Sequence, residues 1–187
     1  MGCTRLTSIS VSNSPYLSVQ NNVLFSDPDK RLICYPRGLQ ANSYSIPEGI
    51  QIIGDSAFID NSRLTSIQFP NSLFSISANA FKGCSSISTI NLPEGIYSIG
   101  DSAFSGCSSL IEIILPEGLD SIGAYALANC SLLRSVTLPD SLSFIGENAF
   151  YGNDMKVYVD EHTVGEQYAM DNKITFEYPG ELDWLLN

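Results

Sequence analysis

The sequence predicts a solenoid of short parallel strands joined by tight turns, and three aligned columns predict it. Proline recurs every 23 residues, at Pro47, Pro70, Pro93, Pro116 and Pro139. The same register aligns Ile53, Ile76, Ile99, Ile122 and Ile145, and it aligns Ala57, Ala80, Ala103, Ala126 and Ala149. Beside the alanines stand Phe58, Phe81, Phe104, Leu127 and Phe150. A fixed period with apolar residues in constant phase is what stacked coils require, because each coil buries its apolar side only against its neighbours.

The 187 residues read as one domain, beginning with a truncated repeat over residues 1–11. Gly2-Cys3 aligns with Gly106-Cys107, Leu6 with Leu110, Ile9 with Ile113 and Val11 with Leu115. A terminal coil needs a polar cap over its apolar face. The chain is therefore expected to be a segment of a longer protein, with an open first coil at which two copies can associate. Residues 12–46 form an irregular repeat, since 35 residues separate Ser12 from Pro47 where 23 are expected. Val23 to Phe25 and Arg31 to Tyr35 flank Asp27-Pro28-Asp29, the pattern of a β-hairpin insertion. Ser43 to Ile46 then rejoins the repeat.

Residues 47–152 are the regular repeats. Leu110, Ile113 and Leu115 enter the core by strand alternation, and the following proline ends pairing and turns the chain. Gly95-Ile96 to Ile99-Gly100 gives a second short extended piece. Asp101 to Phe104 is expected to make a 3₁₀ or single helical turn with Asp101 as its cap. Small alanine there lets coils approach closely, and the phenylalanine fills the space beside it. Residues 153–187 read as a C-terminal cap: a strand over Met155 to Val159, a capping box at Thr163-Val164-Gly165-Glu166 that starts a helix ending near Asn172, and a last strand in which Ile174, Phe176 and Tyr178 alternate. The tail carrying Trp184, Leu185 and Leu186 is expected to fold back onto it.

Composition narrows the function. Nine basic against twenty acidic residues leave a net charge of −11, which argues against nucleic acid or an anionic membrane surface as partner. No apolar run approaches the roughly 18 to 20 residues that span a bilayer, so membrane insertion is not expected. The N-terminal residues carry no legible secretory signal, and Leu6 breaks the myristoylation pattern after Met-Gly-Cys.

Candidate chemistry is sparse. Cys84, Cys107 and Cys130 occupy one column, flanked by Asn61 and Asn153, and coils about 4.8 Å apart make them a buried row of thiols packed as small apolar groups. Disulfide or metal chemistry is the weaker reading, because a zinc site needs converging ligands whereas a ladder points them all one way. The single histidine, His162, precedes the capping box with no second histidine or cysteine nearby. Neither Gly-x-Ser-x-Gly nor a phosphate-binding glycine loop occurs. Glu48, Glu94, Glu117 and Asp140 share one column and Asp55, Asp101 and Glu147 another. These read as a solvated rim, with weak cation binding as the alternative. No catalytic residue, metal or cofactor is assigned.

Binding candidates come from the exposed columns. The main sheet exposes mostly small hydroxyl residues, with Thr89, Asn91, Glu112 and Ile114 the most varied. The second extended piece exposes Phe74, Tyr97 and Phe144. Phe74 and Tyr97 are adjacent in one column and are expected to stack, either as cross-coil packing or as a recognition patch.

Residues Ile99-Gly100-Asp101-Ser102-Ala103-Phe104-Ser105-Gly106-Cys107-Ser108, with the proline column and Leu110, resemble the BspA-type leucine-rich repeat family of bacterial and protozoan surface proteins. The hairpin segment, Asn22 to Phe25 and Leu32 to Pro36, also resembles an insertion that recurs there. Departures are Asn61 for cysteine, Ser77 for glycine and Leu127 for phenylalanine. The resemblance implies a right-handed leucine-rich-repeat coil and a non-catalytic adhesion module of a larger secreted or cell-surface protein. Its partners would be host matrix proteins or other cells. A structural spacer displaying another domain is the alternative, favoured by the serine-rich main face.

Overall fold

The computed structural model describes residues 6–179. The expected repeat match of Gly2-Cys3 and the folding back of the Trp184 tail lie outside the described residues. Three antiparallel strands open the fold, β1 (Leu17–Gln20), β2 (Val23–Ser26) and β3 (Arg31–Cys34). Each later coil then supplies two strands: β4 (Ser43–Ser45) and β5 (Ile52–Ile53), β6 (Ser66–Gln68) and β7 (Ser75–Ile76), β8 (Thr89–Asn91) and β9 (Ser98–Ile99), β10 (Glu112–Ile114) and β11 (Ser121–Ile122), β12 (Ser135–Thr137) and β13 (Phe144–Ile145). The chain ends on β14 (Lys156–Tyr158), helix α1 (Val164–Asp171) and β15 (Thr175–Glu177). The expected hairpin is β2–β3; β1 is an addition to it. The turn between β1 and β2 is Asn21-Asn22 with φ of 52° and 65°, a left-handed pair that asparagine tolerates and that suits a two-residue hairpin.

The coils lie in register. Pairs such as Ser43↔Ser66, Glu112↔Thr89 and Ser121↔Ser98 are parallel and 23 residues apart. Inside, the isoleucine column from Ile53 to Ile122 is 0–2 % exposed, and so are the alanines from Ala57 to Ala149. Phe58, Phe81 and Phe104 stack with centroids 4.8 and 5.3 Å apart, and Tyr35 extends the pile below Phe58 at 5.1 Å. Leu127 interrupts it, and Phe150 instead meets Tyr168 of α1 edge-on at 5.9 Å.

Two expectations need correction. Asp101 does not cap a helical turn. Residues 100–107 form tandem tight turns, with Ala103 N–H to Gly100 O, Ser105 N–H to Ser102 O and Cys107 N–H to Phe104 O, and with positive φ at Ser102. Alternate amides leave the coil, because Ser102, Phe104 and Gly106 donate to Ala124, Ala126 and Ala128 of the next. The Asp101 carboxylate likewise accepts from Ala124 N–H at 2.8 Å, across the coil junction. Second, the main ribbon is not one continuous sheet. It divides into β4–β6, β8–β10 and β12–β14–β15, whereas the second ribbon joins β1, β2, β3, β5, β7, β9, β11 and β13 in one eight-stranded sheet.

At the C-terminus, Thr163 is the N-cap of α1, its hydroxyl accepting from Glu166 N–H at 3.2 Å. The Glu166 carboxylate reaches one residue beyond the cap, to His162 N–H at 2.7 Å. A Cβ on buried Gly165 would lie 3.1–3.2 Å from Val159 and Leu138 side chains, so a glycine lets α1 sit close on the last coils.

Candidate binding surface

On the second ribbon, Phe74 and Tyr97 are 51 % and 45 % exposed and stack in parallel, centroids 5.3 Å apart and planes 1° apart. Their positions follow from the ladder: Phe74 N–H donates to Gln51 O, Tyr97 N–H to Phe74 O, Asp120 N–H to Tyr97 O and Ser143 N–H to Asp120 O. The column continues in side chains. Asp120 accepts a hydrogen bond from the Tyr97 hydroxyl, which holds that phenol above its ordinary pKa of 10.0, chiefly through the hydrogen bond and then through the carboxylate charge. The Ser143 hydroxyl donates to Asp120 Oδ1 at 2.7 Å. Two half-exposed rings are thus held by backbone on one side and by a bonded carboxylate on the other. Phe144 is 56 % exposed on β13 and belongs to the neighbouring column, opposite Ser121 of β11.

Across the proline corner, β8 and β10 bring Thr89 opposite Glu112 and Asn91 opposite Ile114. The seven candidate residues therefore fall on two ribbons. Glu112 and Ile114 also line a shallow crevice of about 180 Å³ where β10 and β12 face each other without a ladder, closed by Val136 and Tyr158. Ile111 and Leu132, 57 % and 46 % exposed, are further large apolar side chains on this part of the chain beside Ile114 at 51 %. Column reading passed over both, since their counterparts one coil earlier are Ser88 and Ser109. The signal was a single large apolar residue in an otherwise polar column.

The remaining residues with chemical potential are tied into the scaffold. Cys84, Cys107 and Cys130 are fully buried and donate through Sγ to the carbonyls of Phe58, Phe81 and Phe104 at 3.1, 3.3 and 3.4 Å. Burial pushes the Cys84 and Cys130 thiols up to about 12, and Cys107, which also faces both neighbouring thiols, is raised as well. A thiol that does not ionise is a poor nucleophile and a poor ligand. At the column's ends Asn153 Nδ2 takes the thiol's role, donating to Leu127 O at 2.8 Å, and Asn61 Oδ1 accepts from Arg63 and Leu64 N–H. Among the described residues no three His, Cys, Asp or Glu side chains converge as a metal site, and no helix is long and apolar enough to cross a membrane.

The profile of the BspA type leucine rich repeat region matches residues 34–156 in six copies. The chain belongs to the BspA-type leucine-rich repeat family. Among solved structures, the T. pallidum leucine-rich repeat protein is 24 % identical with a TM-score of 0.68, over 80 % of this chain and 71 % of that one. The pneumococcal vaccine antigen PcpA is 22 % identical with a TM-score of 0.71, over 87 % of this chain and 47 % of that one. A leucine-rich cell surface protein of Faecalibacterium prausnitzii is 28 % identical with a TM-score of 0.59, over 72 % and 42 %. The chain thus spans less than half of the last two. No curated protein matches it. In this BspA-type repeat the departures from the family pattern have visible roles: Asn61 caps the cysteine column, and Leu127 ends the phenylalanine stack.

Proposed function

We propose that this BspA-type repeat segment is a non-catalytic binding module of a larger secreted or cell-surface protein, and that it adheres to proteins or cell-surface material such as host matrix or other cells. The observation that carries the reading is the Phe74–Tyr97 stack. Large rings left half in water cost hydration, and here they are rigidly mounted on a ladder with no convergent catalytic groups beside them. Tyrosine and other aromatic side chains supply much of the energy at protein interfaces, and a ring already immobilised loses little entropy on binding. Phe144 on the same ribbon, and Glu112 and Ile114 beside Thr89 and Asn91 on the other, extend the surface.

The test is retention on immobilised extracellular-matrix extract and on purified bacterial cell wall. Micromolar retention by the wild type, weakened at least about tenfold in a Phe74→Ser/Tyr97→Ser variant, is the expected result. Absence of retention on either material at micromolar concentration argues for a spacer instead. Equal retention by the variant removes the stack from the binding surface.

A further inference from the structure

Every regular coil sends three turn amides to the next, as Ser102, Phe104 and Gly106 do. The last coil repeats the arrangement with Asn148, Phe150 and Gly152, but α1 and β15 stand where another coil would be. Between them lies a cleft of about 300 Å³, the lower end of the size range of small-molecule sites. The Tyr168 hydroxyl meets the Phe150 amide, while the N–H groups of Asn148 and Gly152 meet no acceptor among the described residues. On the same wall Asn153 Oδ1 is buried without a partner, its Nδ2 being committed to Leu127 O. Asn172 is in the same state: Nδ2 donates to Tyr168 O at 2.9 Å, which leaves its oxygen end.

An unmet donor and an unmet acceptor side by side define the ligand. An anion would satisfy the amides but meet the asparagine oxygens and Asp154, on a chain of net charge −11. A cation would satisfy the oxygens but meet the open N–H groups and Lys173. A hydroxyl both donates and accepts, so a neutral ring carrying several of them answers both needs. The ring of Tyr151, 61 % exposed at the rim, offers the apolar surface on which the C–H face of such a ring can rest. We propose that the cleft between the last coil and α1 binds one ring of a neutral saccharide through the Asn148 and Gly152 amides, Asn153 Oδ1 and the face of Tyr151. This site is separate from the Phe74–Tyr97 surface and stands without it.

The test is saturation-transfer NMR of the full chain with glucose, galactose, mannose and N-acetylglucosamine at millimolar concentration. At least one sugar is expected to bind, with affinity reduced at least about fivefold in Asn153→Cys and in Tyr151→Ala, and unchanged in Tyr97→Ala. Asn153→Cys recreates the Cys130 geometry, in which Sγ donates to the carbonyl 26 residues earlier, so it removes the oxygen while keeping a donor to Leu127. Tyr151→Ala alters an exposed side chain and is the second, fold-neutral variant. No transfer to any of the four sugars overturns the proposal. Transfer that survives both substitutions, or displacement of the sugar by inorganic phosphate at equal concentration, overturns it as well.

Discussion

The two ribbons of each coil make the same number of turns around the same core, yet only one is continuous. Strands of the second ribbon in the regular coils are two residues long and pair at every junction, whereas the three-residue strands of the main ribbon lose their ladder between β6 and β8 and between β10 and β12. Strand length does not decide continuity here; backbone approach does. A Cβ at Gly100, Gly123 or Gly146 would lie 2.8, 2.5 or 2.3 Å from a backbone nitrogen of the preceding coil, closer than any real side chain tolerates. Glycine after the isoleucine column and alanine in the turns let the coils close on that side, and the turn amides add three bonds at each regular junction. The main ribbon has no glycine column, and its strands are spaced by Ile90, Ile113 and Val136.

The sharpest way to break this contrast is at the aromatic pile beneath the turns. Phe81→Ala should cost about 3–5 kcal/mol in denaturant unfolding, since Phe81 is fully buried between two stacked rings. Gly146→Ala comes next at about 2–3 kcal/mol, because its methyl group has only backbone to displace. Hydrogen exchange should separate the ribbons directly: amides along the β10–β12 seam are expected to exchange at least about tenfold faster than those of β8–β10, and equal protection would remove the break. At the C-terminal end the difference turns on pH. The Tyr178 hydroxyl and then His162 N–H hold the Glu166 carboxyl below its ordinary 4.5. That stabilisation is present above the ordinary value and is lost as pH falls through the lowered one, so Glu166→Gln should flatten the acid limb of an unfolding profile. The smallest effect belongs to the broken ribbon: Ser135→Ala, exposed on β12, should stay within about 0.5 kcal/mol.

Much of this was legible in columns. Pro47 to Pro139, the isoleucines, the alanines and the cysteines each repeat at 23 residues, and the stack of Phe74 on Tyr97 follows from their being neighbours in one column. The Thr163 cap was legible because its hydroxyl and Glu166 are local in sequence. What escaped was whatever depended on the fit between coils. Asp101 looked like a local cap and instead serves Ala124 of the next coil. Ile111 and Leu132 stood in columns of serine, and β1 was hidden because an Asn-Asn turn is a weaker hairpin signal than Asn-Gly.

By itself the sequence determined the period, and with it the family, the parallel register and the identity of every buried row, because a repeat that cannot bury its apolar face alone must stack like upon like. Tertiary structure alone decided where the ladder opens and which donors and acceptors are left unmet beside Asn153. Those depend on distances of a few tenths of an ångström between coils and on how α1 closes the last one, and hydrogen bonding falls away steeply over such distances.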